Sequence, residues 1–221
     1  MLDHVLGDVS RTGGPTDNLL PPLIGGGKLF WACKRGFDIG VSLLLVFVLI
    51  PVAGVLVVLN PFLNKGPLFY IQERMGRNCM PFRAIKFRSM IHVGEILRGH
   101  EDPIEIERIT MLGRLMRKCR IDELPQIINV LKGEMSLIGP RPDYYEHAKV
   151  FRASVPGYAE RHVIRPGISG LAQVEVGYTQ GCEATRKKVA ADLHYIRNAG
   201  FRMEAWLVWK TLVTIIGFRG A

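Results

Sequence analysis

Cysteine and histidine are scarce in this chain, and their spacing does not suit a zinc site. Four cysteines occur among 221 residues, none in a C-x-x-C pair, and the six histidines show no zinc-ligand spacing. Scattered cysteines of this kind are typical of a reducing compartment. Internal repeats and low-complexity tracts are also absent, and the length suits one folded core, alone or with an anchor. The cysteines are Cys33, Cys79, Cys119 and Cys182.

Acidic residues are outnumbered by basic ones. The chain has 20 Asp and Glu against 29 Lys and Arg, which gives a formal net charge of +9. This balance favours an anionic partner, either nucleic acid, an acidic membrane surface or a phosphorylated substrate. The basic residues are not interleaved with aromatic ones on one obvious face, so no nucleic-acid partner is expected. A hydrophobic content of 48% excludes a disordered chain.

One long uncharged run, "IGVSLLLVFVLIPVAGVLVVLNPFLN", stands out against this charge. Its unbroken apolar part, Leu43 to Leu59, is at the short end of what spans a bilayer. The run is too long and too far from the start for an ordinary cleaved signal peptide. Pro51 lies in its middle, where a proline removes one backbone hydrogen bond and kinks a helix.

Two membrane topologies fit this run, a straight crossing or a re-entrant helix that bends at Pro51 and returns to the same face. Basic residues flank both ends, so the positive-inside tendency favours two cytoplasmic ends and the re-entrant form. We predict a flexible leader over residues 1–28, a re-entrant membrane helix over residues 29–62 and a separate domain over residues 63–221. A buried core helix fits less well, because the run would be unusually long and uniform. The flanking basic residues are Lys28, Lys34, Arg35, Lys65, Arg74 and Arg77.

The domain after the apolar run is predicted to be of the mixed α/β class, mainly helical with a short β-hairpin. "LFYIQER" and "PFRAIKFRSM" are strand-like, with turn residues Gly76 and Asn78 between them. "ITMLGRLMRK" predicts a helix with a basic face, and Pro61, Gly66 and Pro67 predict the joint to the anchor. "MEAWLVWKTLVTIIGF" is apolar with two tryptophans, which predicts either an interfacial amphipathic helix or a core helix.

The segment "RIDELPQIINVLKGEMSLIGPRP", residues 120–142, places two carboxylates side by side. Apolar residues at i, i+3, i+4 and i+7 from Leu124 predict a helix, with Pro125 in its first turn and Gly133 as its stop. Asp122 would then lie at or next to the N-cap and Glu123 in the first turn, where the helix end favours anions. The simpler interpretation is that Asp122 only caps this helix.

Several cations on stiff loops accompany the acid pair. Arg141 lies between Pro140 and Pro142, Arg165 begins a second Arg-Pro-Gly turn, and "KFRSM" contributes Lys86 and Arg88. Arginine forks match phosphate oxygens, and magnesium binds carboxylates together with substrate phosphates. One such arginine would more often form a surface salt bridge. Together with the acid pair and the anchor, this group indicates phosphoryl chemistry at a lipid surface.

The motifs "KRGFD", "QERMGRN", "KFRSM", "DELPQIINVLKGEMSLIGPRP" and "RPGISGLAQV" occur in this order. They closely resemble those of the bacterial sugar transferases, the monotopic phosphoglycosyl transferases that act on polyprenyl phosphate. The resemblance runs from about Lys34 to the C-terminus. It implies transfer of a sugar-1-phosphate from a UDP-sugar to undecaprenyl phosphate, with release of UMP. It also implies a re-entrant helix in membrane lipid, at the cytoplasmic face of the bacterial inner membrane.

The resemblance also implies roles for individual residues. Asp122 corresponds to the family nucleophile, which forms a covalent phosphosugar intermediate. Glu123 is associated with Mg²⁺, and we include Asp122 as a second metal ligand. Arg117 and Arg141 match phosphate contacts. The full set of implied substrate-binding residues is Lys86, Arg88, Arg117, Pro140, Arg141, Pro142, Arg165 and Asp192.

The chain departs from the family pattern in two places. After "GLAQV" it continues with "EVGYTQGCEATRKK" where many members have Asn-Gly-Arg, so the sugar of the donor is left open. Arg120 stands where Ser or Thr is commoner, as an extra phosphate contact or as surface. Two alternatives from other classes are a membrane-bound phosphatase of lipid phosphates and a non-catalytic basic module on anionic lipid. The oligomeric state is open, with a homodimer among the options.

Overall fold

The computed structural model describes residues 24–91, 99, 102, 105–175 and 181–217. Residues 1–23 of the predicted leader and residues 176–180 of the divergent stretch after Val174 therefore lie outside the described residues. The helices are α1 (Lys28–Leu63), α2 (Met111–Lys118), α3 (Gln126–Lys132), α4 (Tyr145–Ser154), α5 (Leu171–Glu175), α6 (Gly181–Arg197) and α7 (Phe201–Ile216). The strands are β1 (Phe69–Met75), β2 (Pro81–Phe87), β3 (Ser136–Ile138) and β4 (Gly167–Ser169).

The predicted hairpin is confirmed, and the fold is mainly helical with a small sheet. Strands β1 and β2 pair antiparallel, with Tyr70 opposite Lys86. Asn78 takes a left-handed backbone conformation (φ 56°) in the turn, as expected for an asparagine at such a position. A second pair of short strands, β3 and β4, runs parallel. A Cβ at Gly167 would lie 2.1 Å from the Gly139 nitrogen, so this close approach requires glycine.

Helix α1 is continuous over 36 residues and includes both Pro51 and Pro61. The predicted joint therefore begins later than expected, because the chain leaves the helix at Asn64. In the part of the chain that the structure describes, this is the one helix long and apolar enough to cross a membrane, by length and composition. Its outer face exposes large apolar side chains, among them Phe47 at 75% and Phe62 at 77%.

The inner face of α1 packs along the domain. Buried residues recur at intervals of four and seven, which keeps them on one side of the helix. Leu49 and Leu56 enter a core cluster with Phe87, Leu112 and Ile127. Burying one such leucine contributes about 1.5–3 kcal/mol. One side of the middle of the long helix is therefore part of the folded core.

Polar contacts tie the N-terminal end of α1 to the domain. Lys34 forms a buried ion pair with Glu204 of α7. Asp38, which is 2% exposed, accepts hydrogen bonds from Ser136 Oγ at 2.8 Å and from the Leu137 amide at 3.2 Å. The helix is thus fixed to β3, the strand that leads into the Pro-Arg-Pro turn.

The C-terminal end of α1 is tied to the same domain. The Asn64 side-chain amide donates to the Arg88 carbonyl at 2.6 Å, and Arg88 donates back to the Asn64 carbonyl. Asn60 donates to the Gly66 carbonyl at 2.6 Å. Both ends of the apolar helix therefore contact one folded body.

Helices α6 and α7 form the other side of the domain. Leu207 of α7 is fully buried in a cluster with Tyr195 and Ile196 of α6. The outer face of α7 leaves Phe201 and Trp209 exposed at 59% and 64%. The helix predicted over this stretch is confirmed, and it combines a core face with an apolar outer face.

Candidate active site

The acid pair lies in a single 3-10 turn, Ile121–Glu123, between α2 and α3. The predicted N-cap position of Asp122 is wrong, because α3 begins at Gln126 with Pro125 immediately before it. Arg120 takes a left-handed conformation (φ 57°), which ends the path of α2 and turns the chain into this separate turn. A non-glycine residue held in this region stores strain, and such strain clusters at functional sites. The predicted end of α3 at Gly133 is confirmed (φ 86°).

Glu123 is held by three cations. Its Oε1 accepts from Lys86 Nζ at 2.6 Å and from Arg141 Nη2. Its Oε2 accepts from Arg141 Nη1 at 3.2 Å and from Arg120 Nη1 at 3.4 Å. Burial alone would raise the pKa of Glu123, but the charges of Arg141 and Lys86 outweigh burial and hold that pKa well below its usual range. Glu123 is therefore a permanent anion that organises the cations around it.

Asp122 has the opposite environment. It is 8% exposed, and among the described residues its buried Oδ1 has no hydrogen-bond partner. Burial and the neighbouring Glu123 charge raise the pKa of Asp122, while Lys86, Arg117 and Arg141 partly offset them. A carboxylate with a raised pKa is more basic, and once ionised it is a better nucleophile. The two adjacent carboxylates are thus chemically different.

Lys86 and Arg117 complete the positive surroundings of the pair. Burial lowers the pKa of Lys86 to about 8, and Glu123 opposes this shift. The lysine is therefore mainly protonated at neutral pH and loses its charge as the pH rises through about 8. Arg117 Nε donates to Ser89 Oγ at 3.0 Å, which holds this side chain at the end of α2 on the Asp122 side.

Two of the predicted phosphate contacts lie apart from the acid pair. Arg88, which is 4% exposed, donates to the carbonyls of Asn64 and Pro67 just after α1 and to the Met90 carbonyl after β2. Arg165 Nε donates to the Gly133 carbonyl at 2.8 Å, at the C-terminal end of α3. The structure thus gives both arginines contacts within the fold, and their substrate contacts stay predictions.

Asp192, on α6, also has a contact within the fold, and its predicted substrate contact stays a prediction. It is 1% exposed and pairs with Arg161 at 2.7 Å. Burial raises the pKa of Asp192 to about 6. Pro140 and Pro142 are buried on either side of Arg141, so of these three residues the arginine is the one that reaches Glu123.

Sequence reasoning missed Arg74 and Arg161 as site residues. Arg74 is close enough to Arg141 and Glu123 to interact with both electrostatically, and it donates to the Pro142 carbonyl at 2.6 Å. The hairpin register could have found it, because Arg74 and Lys86 lie on the same face of β1 and β2. Arg161 had no such signal, since it lies in an irregular segment far along the chain.

Asp122 and Glu123 differ in how well each suits a Mg²⁺ ion. No group of three or more His, Cys, Asp or Glu side chains suited to a metal occurs in the described ranges. Magnesium needs only one or two carboxylates when substrate phosphates supply other ligands, and Asp122 Oδ1 fits that requirement. Glu123 does not, because four N–H donors already occupy the four lone-pair positions of its carboxylate.

The arrangement can hold a phosphate group next to a carboxylate. Lys86 and Arg141 donate to Glu123, and Arg117 is close enough to Asp122 to interact with it electrostatically. These cations would reduce the repulsion between an anionic diphosphate and the Asp122 carboxylate. The arrangement therefore suits chemistry at a phosphorus atom with a carboxylate beside it.

Comparison with known proteins gives one matching family. A family model described as bacterial sugar transferase matches residues 29–217. The UDP-N-acetylgalactosamine-undecaprenyl-phosphate N-acetylgalactosaminephosphotransferase of Aeromonas hydrophila is 40% identical over 188 residues, which cover 85% of this chain and 44% of that protein. The UDP-glucose:undecaprenyl-phosphate glucose-1-phosphate transferase of Caulobacter vibrioides is 35% identical over 191 residues, with 83% and 67% covered.

Relatives of similar length also occur. The exopolysaccharide production protein PSS of Rhizobium leguminosarum bv. phaseoli is 37% identical over 191 residues, which cover 82% of this chain and 94% of that protein. By contrast, the chain spans less than half of the Aeromonas relative. The similarity is thus spread over the described helices and strands from α1 to α7.

Proposed function

The chain belongs to the bacterial sugar transferase family, and we propose that it transfers a sugar-1-phosphate from a UDP-sugar to undecaprenyl phosphate. The products are the undecaprenyl-diphosphate sugar and UMP, which would start the assembly of a glycan such as an exopolysaccharide. The proposed location is the cytoplasmic face of the bacterial inner membrane. Names of relatives include both N-acetylgalactosamine and glucose transferases, so the donor sugar is open.

The observation that carries this proposal is the contrast between the two carboxylates. Glu123 is neutralised by Lys86, Arg120 and Arg141, whereas Asp122 Oδ1 is buried without a hydrogen-bond partner among the described residues. A buried acceptor left unpaired costs about 1–3 kcal/mol, so its retention is better explained by chemistry than by stability.

In the proposed first step, Asp122 attacks the sugar-bearing phosphorus of the UDP-sugar. A bond forms between a carboxylate oxygen and phosphorus, the bond from phosphorus to the bridging oxygen breaks, and UMP leaves with that electron pair. Arg141, Lys86 and Arg117 stabilise the charge that develops on the phosphoryl group and on UMP. Magnesium, when bound by Asp122 and the donor diphosphate, would supply further neutralisation of phosphate charge.

In the second step, an oxygen of undecaprenyl phosphate attacks the phosphorus of the aspartyl-phosphosugar. The bond to Asp122 breaks, and the carboxylate leaves with its electron pair and returns to its starting state. The same cations that held the donor phosphate now reduce repulsion between two phosphates. The sugar-1-phosphate group is thus transferred first to Asp122 and then to the lipid phosphate.

The function is tested by incubating purified protein in detergent with undecaprenyl phosphate, magnesium and a panel of UDP-sugars. We expect release of UMP with at least one sugar, in step with formation of a lipid-linked sugar. Release of inorganic phosphate from prenyl diphosphate, with no need for a UDP-sugar, would instead indicate a lipid phosphatase. No turnover with any lipid or UDP-sugar would favour a non-catalytic module.

We also propose that α1 is re-entrant, with both ends at the cytoplasmic face and its outer apolar face in lipid. Support comes from the contacts of Lys34 and Asp38 at one end and of Asn64 at the other, all with the same polar domain. A helix of this length is about 54 Å long, which exceeds a hydrocarbon core of about 30 Å. A straight crossing would place one set of these polar contacts on the far side of the membrane.

The exposed apolar faces of α2 and α7 support a shallow position at the membrane surface. Met111 and Leu115 of α2 are exposed at 79% and 57%, and Trp209 of α7 is exposed at 64%. Tryptophan favours the headgroup region, and Lys210 lies 5.7 Å from the Trp206 ring centre, as expected for an interfacial helix. These helices would place the acid pair near the lipid phosphates.

The topology predicts equal accessibility of the two ends of α1. Lys28→Cys and Lys65→Cys, both at exposed positions, are made singly in a background without the four native cysteines. Neither is expected to react with a membrane-impermeant thiol reagent on intact spheroplasts, and both should react after permeabilisation. Labelling of one position alone in intact spheroplasts would mean that α1 crosses the membrane. Pro51→Leu restores a backbone donor and should increase that one-sided labelling.

A further inference from the structure

The turn that carries Arg141 is held by its backbone carbonyls. The Pro140 carbonyl accepts from the Gly167 amide at 2.9 Å. The Arg141 carbonyl accepts from Arg161 Nη2 at 2.7 Å, and the Pro142 carbonyl accepts from Arg74 Nη1 at 2.6 Å. Three consecutive carbonyls are thus bonded to donors from three different parts of the chain.

Two of these donors are arginine side chains, and Arg161 is itself fixed on both sides. Arg161 is 2% exposed, and its Nη1 pairs with Asp143 at 2.7 Å while its Nη2 pairs with Asp192 at 2.7 Å. The Tyr158 hydroxyl donates to the same Asp143 oxygen at 2.8 Å. The guanidinium is therefore held by one carboxylate directly after the turn and by a second one on α6.

Prolines explain why the turn needs such support. Pro140 and Pro142 have no backbone N–H, so the turn cannot hold itself by local amide donors from these residues. The Arg141 side chain donates to Glu123 and to the Ile168 carbonyl, while its own backbone carbonyl accepts from Arg161. A shift of this carbonyl would move the Arg141 backbone and, with it, the position of the Arg141 guanidinium.

We propose that Arg74 and Arg161 are positioning residues, which fix the Pro140-Arg141-Pro142 turn by its carbonyls and so set where the Arg141 guanidinium points. Asp192 acts one step further back, because it holds Arg161. This inference rests on the proposed function, since the point of the geometry is to present Arg141 to a diphosphate.

Stability alone does not explain why Arg74 and Arg161 lie at these positions. Arg161 is buried with Asp143 and Asp192, and buried ion pairs often give no more net stability than apolar residues of similar volume. Burial and the like charge of Arg141 both lower the pKa of Arg74, so the fold holds this pair of cations together at a cost. Such costs are retained where they define a geometry that the reaction needs.

The test is a double-mutant cycle with Arg141, measured as UMP release in detergent. Arg161→Lys and Arg74→Met should each lower turnover about 10–100-fold in the wild-type background, as expected when a catalytic group is misplaced by about 1 Å. In the Arg141→Ala background, the same changes should cost less than about twofold, because they act through the residue already removed. Arg74→Lys keeps a donor and should recover part of the loss.

Arg83→Met is the matched control, because Arg83 lies on the same hairpin with its side chain 78% exposed. It should leave turnover within about twofold of wild type. Equal losses from Arg161→Lys or Arg74→Met in both backgrounds would overturn the inference and leave a structural or direct substrate role. If Arg161→Lys does not fold, the test rests on the Arg74 variants, which are expected to fold because Arg74 is only half-buried. Absence of UMP release by the wild-type protein would instead contradict the proposed function.

Discussion

Replacing Asp122 by Asn is expected to reduce turnover to background while leaving the fold intact. The amide has nearly the same size and is a far poorer nucleophile, so the first step cannot begin. Because one oxygen of the buried Asp122 carboxyl has no hydrogen-bond partner among the described residues, its neutral replacement should not lower the thermal unfolding temperature. Glu146→Gln, on the exposed side of α4, is the matched control and should keep normal turnover.

The intermediate itself can be seen by mass spectrometry of enzyme mixed with UDP-sugar and magnesium, without the lipid acceptor. The wild-type protein should gain one phosphosugar on the peptide that contains Asp122 and release one equivalent of UMP. Asp122→Asn should gain none. Normal turnover without this adduct, together with UMP release only when lipid is present, would indicate direct transfer from donor to lipid. Asp122 would then act as a base or a metal ligand.

Replacing Arg141 by Ala is expected to lower turnover about 10³-fold, the lower end of what charge-stabilising arginines contribute to phosphoryl transfer. Two effects combine here. The donor diphosphate loses a fork of two N–H groups, and the buried Glu123 carboxylate loses its strongest partner. Lys should rescue only part of the activity, since it restores the charge but not the fork.

Single-turnover measurements of UMP release separate this effect from a loss of folding. The Arg141→Ala protein should form the phosphosugar adduct slowly but to the same final extent, because the nucleophile is intact. Arg83→Ala should release UMP at the wild-type rate. Normal rates in Arg141→Ala would remove this arginine from the site, and an unfolded variant would be recognised by its loss of a cooperative thermal transition.

Local features of the fold were predictable because they depend on neighbouring residues. The strand-like stretches on either side of Gly76 and Asn78 predicted the β1–β2 hairpin, and Gly133 predicted the end of α3. The predicted helix cap at Asp122 was wrong, because Arg120 takes a left-handed conformation that its residue type rarely adopts. Only the packing around it reveals that the chain turns there.

The reactive residues of the candidate site were predictable from the sequence, but the contacts of the side chains around them were not. Asp122, Glu123 and Arg141 lie close together, as their shared segment and the family resemblance implied. Arg88 follows Lys86 by two residues, yet it turns to carbonyls at the end of α1 while Lys86 turns to Glu123. Sequence shows which side chains can bind phosphate, but only tertiary contacts decide which of them are already occupied.

The polar inner face of α1 also limits whether this helix can be moved to another protein without the domain it packs against. Lys34, Asp38 and Asn60 obtain hydrogen bonds from residues outside this helix. Transplanted to another protein, the same helix would keep the 3.8 Å ion pair between Lys34 and Asp38 but lose their contacts with Glu204 and Ser136, and polar groups without such partners are costly in hydrocarbon. The segment is therefore not a portable module. Anchor and domain are expected to exchange together in evolution, and a chimera that swaps only one of them needs both sides of this interface.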